Sequence, residues 1–198
     1  MNYRIVLASA SPRRKEILSK LGVQFEVIPS DCEEVYTATE PAQIVKELAI
    51  LKAGDVYKKL INERTASDNN GSLVVIGSDT IVAHKGRVMG KPHSKEEAFE
   101  MIKSYAGDTH QVHTGVCIMI ENGQNHSFTV SSSVNVVPMT DEEIWAYVES
   151  GEPMDKAGAY ALQGLFAPFV SGIEGDYYNI VGFPICRVYH ILKDEGII

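Results

Sequence analysis

The sequence predicts an α/β fold with a mixed, curved sheet. Three observations carry that reading. Strand-type and helix-type apolar patterns mix along the chain without the strict alternation of a parallel sheet. Leu73-Val74-Val75-Ile76 is a continuous apolar run, the pattern of a strand buried on both faces. Two long period-two stretches flank Asn122-Gly123, a strong hairpin signal: one carries Val112, Thr114, Val116, Ile118 and Ile120, the other Phe128, Val130, Ser132, Val134 and Val136. With 198 residues, 44% of them hydrophobic and 22% charged, the chain can bury a sizeable core. That length allows one domain over residues 1–198, or one domain with a second lobe.

The elements follow in order. A short strand over Arg4–Ala8 leads to Ser11, a good N-cap, and Pro12, a good first helical residue. The helix runs to Leu21, with Ile17, Leu18 and Leu21 on one face, and Gly22 ends it. Val23, Phe25 and Val27 alternate as in a strand, and an acidic loop with Asp31, Glu33 and Glu34 follows. A second helix from Pro41 buries Ile44, Val45, Leu48, Ala49 and Leu51. Lys52 lies on or beside that face, where snorkelling would keep its ammonium in water.

Residues 62–72 read as a polar surface loop. The run Leu73–Ile76 ends in Gly77-Ser78-Asp79-Thr80, the apolar pattern resumes at Ile81-Val82-Ala83, and Lys85-Gly86 reads as a hairpin turn. Ser94 with Glu97, and Thr140 with Glu143, are capping-box pairs opening helices. Gly151 and Pro153 end the second of these. A strand over Phe166–Ile173, a turn at Gly175 and a last helix from Pro184 complete the order.

Composition narrows the function. A net charge of −8 argues against a broad nucleic-acid surface. No apolar run approaches a membrane span, and Met1-Asn2-Tyr3-Arg4 lacks the apolar stretch of a signal peptide. Three scattered cysteines, Cys32, Cys117 and Cys186, suggest neither disulfides nor a zinc motif and fit a reducing cytoplasm. The six histidines form no zinc pattern, and His110 and His113 read as surface or hairpin residues on opposite faces of a strand.

Arg13-Arg14-Lys15 is the local rule that the chain breaks. Three cations occupy the first turn of a helix whose dipole favours anions. An anionic ligand on the free N–H groups and basic side chains would compensate, and a solvated basic turn is the alternative. Asp79 is expected near the carboxyl end of a buried strand, where open α/β sheets place ligands. Arg13, Arg14, Lys52 and Lys91 supply positive charge, while Asp79 and the Glu33-Glu34 loop supply hard oxygens suited to Mg²⁺ or Mn²⁺. That is the inventory of a polyphosphate site, although no G-x-x-x-x-G-K-[ST] or strand-coupled G-x-G-x-x-G is present.

The blocks Leu7-Ala8-Ser9-Ala10-Ser11-Pro12-Arg13-Arg14, Lys52-Ala53, Ile76-Gly77-Ser78-Asp79-Thr80, Gly90-Lys91-Pro92, Asp155-Lys156-Ala157-Gly158-Ala159-Tyr160-Ala161-Leu162-Gln163-Gly164 and Val181-Gly182-Phe183-Pro184 span nearly the whole chain. In them the sequence resembles the Maf family of nucleoside triphosphate pyrophosphatases, within the inosine-triphosphatase-like superfamily. The resemblance implies a Maf-like domain with a central cleft, and hydrolysis of a nucleoside triphosphate between the α and β phosphates with a divalent metal, Mg²⁺ or Mn²⁺. It implies Asp79 as proton acceptor or metal ligand, and Ser9, Arg13, Arg14, Lys52 and Lys91 at the phosphates. Glu33 or Glu34 falls at the acidic-loop position.

Arg13, Thr80 and Gln163 match the positions that separate subgroups, and together resemble the dTTP/UTP subgroup. The 7-methyl-GTP subgroup carries an aromatic residue at the Arg13 position. Ala161-Leu162 replaces the commoner Gly-Ile, a mild departure. The implied role is removal of surplus or non-canonical nucleotides, with a homodimer as the family's assembly. A regulator of septum formation that binds nucleotide without catalysis is the alternative of another class.

Overall fold

The computed structural model describes residues 3–64, 71–121 and 123–198. The strands are β1 (Tyr3–Leu7), β2 (Glu26–Val27), β3 (Ser72–His84), β4 (Arg87–Met89), β5 (Thr109–Ile120), β6 (His126–Val136) and β7 (Val170–Glu174). The helices are α1 (Pro12–Ser19), α2 (Pro41–Asn62), α3 (Lys95–Tyr105), α4 (Asp141–Glu149), α5 (Tyr177–Val181) and α6 (Ile185–Asp194). Short 3₁₀ turns cover Glu152–Asp155, Ala157–Ala159 and Ala167–Phe169.

The strands form one mixed sheet in the order β2-β1-β3-β5-β6-β7, with β4 added to β3. β1 pairs parallel with β2 and β3, and every other pairing is antiparallel. The fold is therefore α/β with a mixed sheet flanked by helices, as the sequence predicts.

Period two decides which face each strand residue meets. Val74 and Ile76 pack with Leu18, Phe183 and Leu192 on the side of α1 and α6. Leu73 and Val75 pack with Ala49, Ala53 and Val56 of α2 on the other. A third cluster joins Val82, Val112 and Val134 to Ile102 of α3, Ile144 of α4 and Phe166.

Several local expectations hold. Ser11 caps α1 and Pro12 opens it, and Thr140 and Glu143 make both bonds of a capping box. Lys85 and Gly86 both have positive φ, as a tight hairpin turn requires. Asp68, Asn69 and Asn70 of the predicted surface loop, and Asn122 of the hairpin signal, lie outside the described residues.

Others are corrected. Ser94 accepts from the Glu97 N–H, but the Glu97 carboxylate takes the His93 N–H instead of closing the box. The Val23–Val27 strand shrinks to two residues, because Val23 and Phe25 turn into the α1/α6 core rather than continuing the ladder. The last strand begins at Val170, since Pro168 lies in a 3₁₀ turn and lacks the N–H a ladder needs. α2 buries Ala53, Val56 and Leu60 in addition to the expected face, while Leu51 is half-buried.

His110 and His113 are both buried, contrary to the surface reading. His110 sits among Tyr105 and Tyr160 with its Nε2 2.7 Å from the Tyr160 hydroxyl, and His113 Nδ1 lies 2.7 Å from Ser131 Oγ. β5 is covered on both faces, so opposite sides of it offer no route to solvent here.

Candidate active site

β3 is longer than its sequence suggests, and the cleft depends on that. The apolar run does not end at Gly77; the strand continues through Asp79 and Thr80 because β5 pairs with it from Val74↔Ile120 to Ala83↔Gln111. Asp79 is thus mid-strand rather than at a strand end. What ends is the parallel neighbour. β1 pairs as far as Leu7↔Ile76, and β4 takes the same edge of β3 only from Val82↔Met89. Between them the edge at residues 78–81 is open, a switch point of the kind at which sheets place ligands. A cleft of ≈ 760 Å³ opens there, lined by Ser9, Arg14, Lys52, Asp79, Lys91 and Gln163 among others.

Alternation sends Asp79 towards α2 and Thr80 towards α1 and α5. α2 reaches Asp79 because small residues let backbones touch. A Cβ on Gly115, the register partner of Asp79, would lie 2.1 Å from the Val45 carbonyl oxygen, and one on Gly77 would lie 2.5 Å from that of Ala49. Lys52 then projects into the cleft instead of snorkelling out. Its Nζ stands 2.6 Å from Asp79 Oδ1 and 2.7 Å from Glu34 Oε1. Asp79 is only 8% exposed, and the Lys52 ammonium is its counter-charge. Of the two acidic-loop candidates, Glu34 lines the cleft and Glu33 is not among its lining residues.

On the other face, Arg14 is a hub. Its Nη1 donates to Ser9 Oγ (3.1 Å), Nη2 to Thr80 Oγ1 (3.0 Å) and Nε to the Gly182 carbonyl (3.0 Å). Burial lowers its proton affinity, which Asp79 opposes. Three of the five guanidinium N–H donors are spent, leaving two for a ligand. The chain of hydroxyls beyond it has a direction. Thr114 Oγ1 donates to the Asn179 carbonyl (2.8 Å), so Thr80 Oγ1 must donate across the 2.9 Å to Thr114 and accept from Arg14. Thr80 lines the cleft with its hydroxyl proton already committed. Ser9 Oγ accepts from Arg14 and from the Ser11 N–H, and among the described residues its own hydrogen meets no acceptor.

The helix terminus itself offers less than the basic turn suggests. Arg14 N–H goes to Ser11 Oγ and Lys15 N–H to the Ser11 carbonyl, while Pro12 has none. Arg13 keeps its N–H, and its exposed side chain lines the cleft; Lys15 lies away from it. Lys91 and Gln163 are exposed on the rim, with Gln163 Nε2 donating to the Tyr177 hydroxyl (2.8 Å).

Sequence reasoning gave no role to Tyr105 and Gly158, which hold the rim loop. Tyr105 Oη donates to the Gly158 carbonyl, and Gly158 N–H donates to the Gly90 carbonyl (2.9 Å). Gly158 has φ +69°, and a Cβ there would lie 2.9 Å from Val82. Ala159 also has positive φ, at 57°. Such strain persists only when the surroundings over-determine it, and it collects at ligand sites. No cue in the one-dimensional pattern marks a buried tyrosine as the donor to a loop carbonyl.

Among the described residues, no group of three or more His, Cys, Asp or Glu side chains gathers to hold a metal. Asp79 and Glu34, on either side of Lys52, are the carboxylates of the cleft placed to contribute to one.

Fold and cleft together define an α/β protein with a nucleotide-sized, cation-lined pocket where a mixed sheet changes partners. The fold is shared with the Staphylococcus aureus Ham1 protein, at a TM-score of 0.52 and 18% identity over 97% of this chain and 99% of that one. The family model for Maf-like protein matches residues 4–195. A dTTP/UTP pyrophosphatase of Lachnoclostridium phytofermentans is 48% identical over 98% of this chain and 96% of its own length. One of Thermococcus kodakarensis is 47% identical over 97% and 96%. The chain belongs to the Maf family.

Proposed function

We infer that this protein is a nucleoside triphosphate pyrophosphatase that hydrolyses dTTP and UTP to the monophosphate and pyrophosphate. The observation that carries this is the convergence of Asp79, Ser9, Arg13, Arg14, Lys52, Lys91 and Gln163 on one cleft. It occurs in a chain nearly half identical, along almost its full length, to proteins named for that activity.

Lys52 pairs with Asp79 at 2.6 Å, and in this reading Asp79 is the carboxylate that accepts a proton or binds a metal. In the proposed reaction a water oxygen forms the new bond to the α phosphorus. Its proton passes to Asp79, the bond from the α phosphorus to the bridging oxygen breaks, and pyrophosphate leaves. Arg13, Arg14, Lys52 and Lys91 offset the charge gathering on the leaving group, and the free Ser9 hydroxyl donates to a phosphate oxygen. Two carboxylates are what Mg²⁺ takes from a protein when substrate phosphates complete its shell, so Asp79 and Glu34 suit such an ion. When bound, a divalent cation would neutralise phosphate charge and polarise the reacting phosphoryl group.

Gln163 both donates and accepts, which suits it to read the edge of a pyrimidine. The reading extends to one domain whose lobes flank the cleft, to a homodimer, and to a cytoplasmic enzyme that removes surplus or non-canonical nucleotides. No helix among the described residues is long and apolar enough to cross a membrane.

A pyrophosphate-release panel over dTTP, UTP, CTP, purine and 7-methyl-GTP triphosphates, with and without Mg²⁺ or Mn²⁺, tests this. Turnover should favour dTTP and UTP and need the metal. Preference for 7-methyl-GTP would move the chain to the other subgroup, and binding without pyrophosphate release would make it a regulator. Gln163→Ala should narrow the preference for dTTP and UTP over purine triphosphates by about tenfold; unchanged relative turnover would remove Gln163 from base selection.

A further inference from the structure

Lys156 is a lysine in an unusual place. It lines the cleft, yet its side chain is only 16% exposed. A lysine sequestered to that degree needs a counter-charge. Among the described residues the carboxylate that meets it is Asp155, its neighbour in sequence, which also lines the cleft but whose side chain is 75% exposed. The Lys156 hydrogen bond, and more weakly the charge of Arg13, hold the Asp155 carboxyl below its usual range, so Asp155 stands in the field of both cations. A pair with one partner so solvated is worth little by itself. The backbone around it is nevertheless fixed at some expense: Gly158 and Ala159 at positive φ, the Tyr105 bond to the Gly158 carbonyl, and the Gly158 bond to Gly90, beside Lys91. A strained loop that brings a half-buried lysine to the cleft wall, paired there with a solvent-exposed carboxylate, is built for an anion that replaces the carboxylate.

We propose that Lys156 is a further phosphate-binding residue of this cleft, and that Asp155 is an internal stand-in for the phosphate, which the polyphosphate chain displaces. The proposal rests on the pyrophosphatase reading for the identity of the anion. Its two halves have opposite signs. Loss of Lys156 weakens binding, whereas loss of the Asp155 charge strengthens it.

The experiment measures kcat and KM for UTP, together with calorimetric binding of inorganic pyrophosphate, for the wild type, Lys156→Met, Lys156→Arg and Asp155→Asn. Lys156→Met should weaken pyrophosphate binding and raise KM by about ten- to a hundredfold, the loss of one charge-assisted hydrogen bond. Lys156→Arg should recover most of that. Asp155→Asn should tighten pyrophosphate binding by about two- to fivefold at low salt, with the gain fading as salt rises. A merely structural lysine or aspartate would not yield tighter binding. The proposal is overturned if Lys156→Met binds pyrophosphate as the wild type does, if Lys156→Arg is as poor as Lys156→Met, or if Asp155→Asn binds more weakly. A wild type that binds pyrophosphate but turns over neither UTP nor dTTP would refute the function while leaving the binding arm to decide Lys156.

Discussion

The two walls of the cleft are built differently. On the sheet wall, Arg14 and Lys52 are already partnered by the protein. Arg14 makes three hydrogen bonds and Lys52 lies between two carboxylates, and Arg14, Lys52, Asp79 and Thr80 all stand on regular elements. On the opposite rim, Lys91 and Gln163 are exposed, among the described residues Lys156 pairs with its sequence neighbour alone, and the backbone is strained. On the first wall the charges are held by the protein's own partners, as electrostatic preorganisation requires. The second is shaped, but its charges are left for a ligand to complete. In the proposed reaction, chemistry falls to the sheet wall, and substrate grip and base selection to the rim.

The sharpest way to break this division is at Asp79. Asp79→Asn keeps the shape and removes the charge, and should lower kcat by about 10²–10⁴-fold, while Lys52 stays bound to Glu34 and the fold persists by circular dichroism. Near-wild-type turnover would place the chemistry elsewhere.

Next in size is the pH response of the core behind the rim. Burial, reinforced by His84, pushes His110 from 6.5 down to about 4. The unfolded chain therefore binds a proton between those values that the folded protein refuses. Stability is full above pH 6.5 and falls as pH drops towards 4, by about 3 kcal/mol from this residue. Urea titrations between pH 7 and 4 should show that slope, and His110→Asn should flatten it. An unchanged slope would remove His110 as its source.

The smallest expected effect sharpens the comparison most. Tyr105→Phe leaves the buried Gly158 carbonyl without its tyrosine donor and should cost about 1–3 kcal/mol of stability. Because Tyr105 acts through the rim loop, KM for UTP should rise more than kcat falls, the reverse of Asp79→Asn. Equal losses in both constants would mean that the rim and the sheet wall are not separable.

How much of this was legible depends on the range of the forces involved. Ser11 and Pro12 set the start of α1, and Thr140 and Glu143 that of α4, by bonds within four residues. Strand alternation set the two long strands of the hairpin. The misplaced cations Arg13 and Arg14 pointed to the cleft that both line, and the motif blocks to the family. The errors arose where distant partners decide. Asp79 looked like the end of a strand because Gly77 and Ser78 interrupt the apolar run; only pairing with β5 and the approach of α2 keep it in the ladder. His110 looked exposed because nothing local shows that aromatic residues from α3 and the rim loop cover it.

By itself, then, the sequence determined the fold class, most helix starts, the family and the cast of charged residues, because capping, periodicity and motif spacing are short-range properties. Tertiary structure alone decided which charges face one another. Lys52 meets Asp79 because glycines bring a helix onto a strand, Arg14 is tied to Thr80 across 66 positions, and the loop that carries Lys156 is bonded at Gly158 by a tyrosine 53 positions away. Side-chain electrostatics act over a few ångströms of space, whatever the distance along the chain.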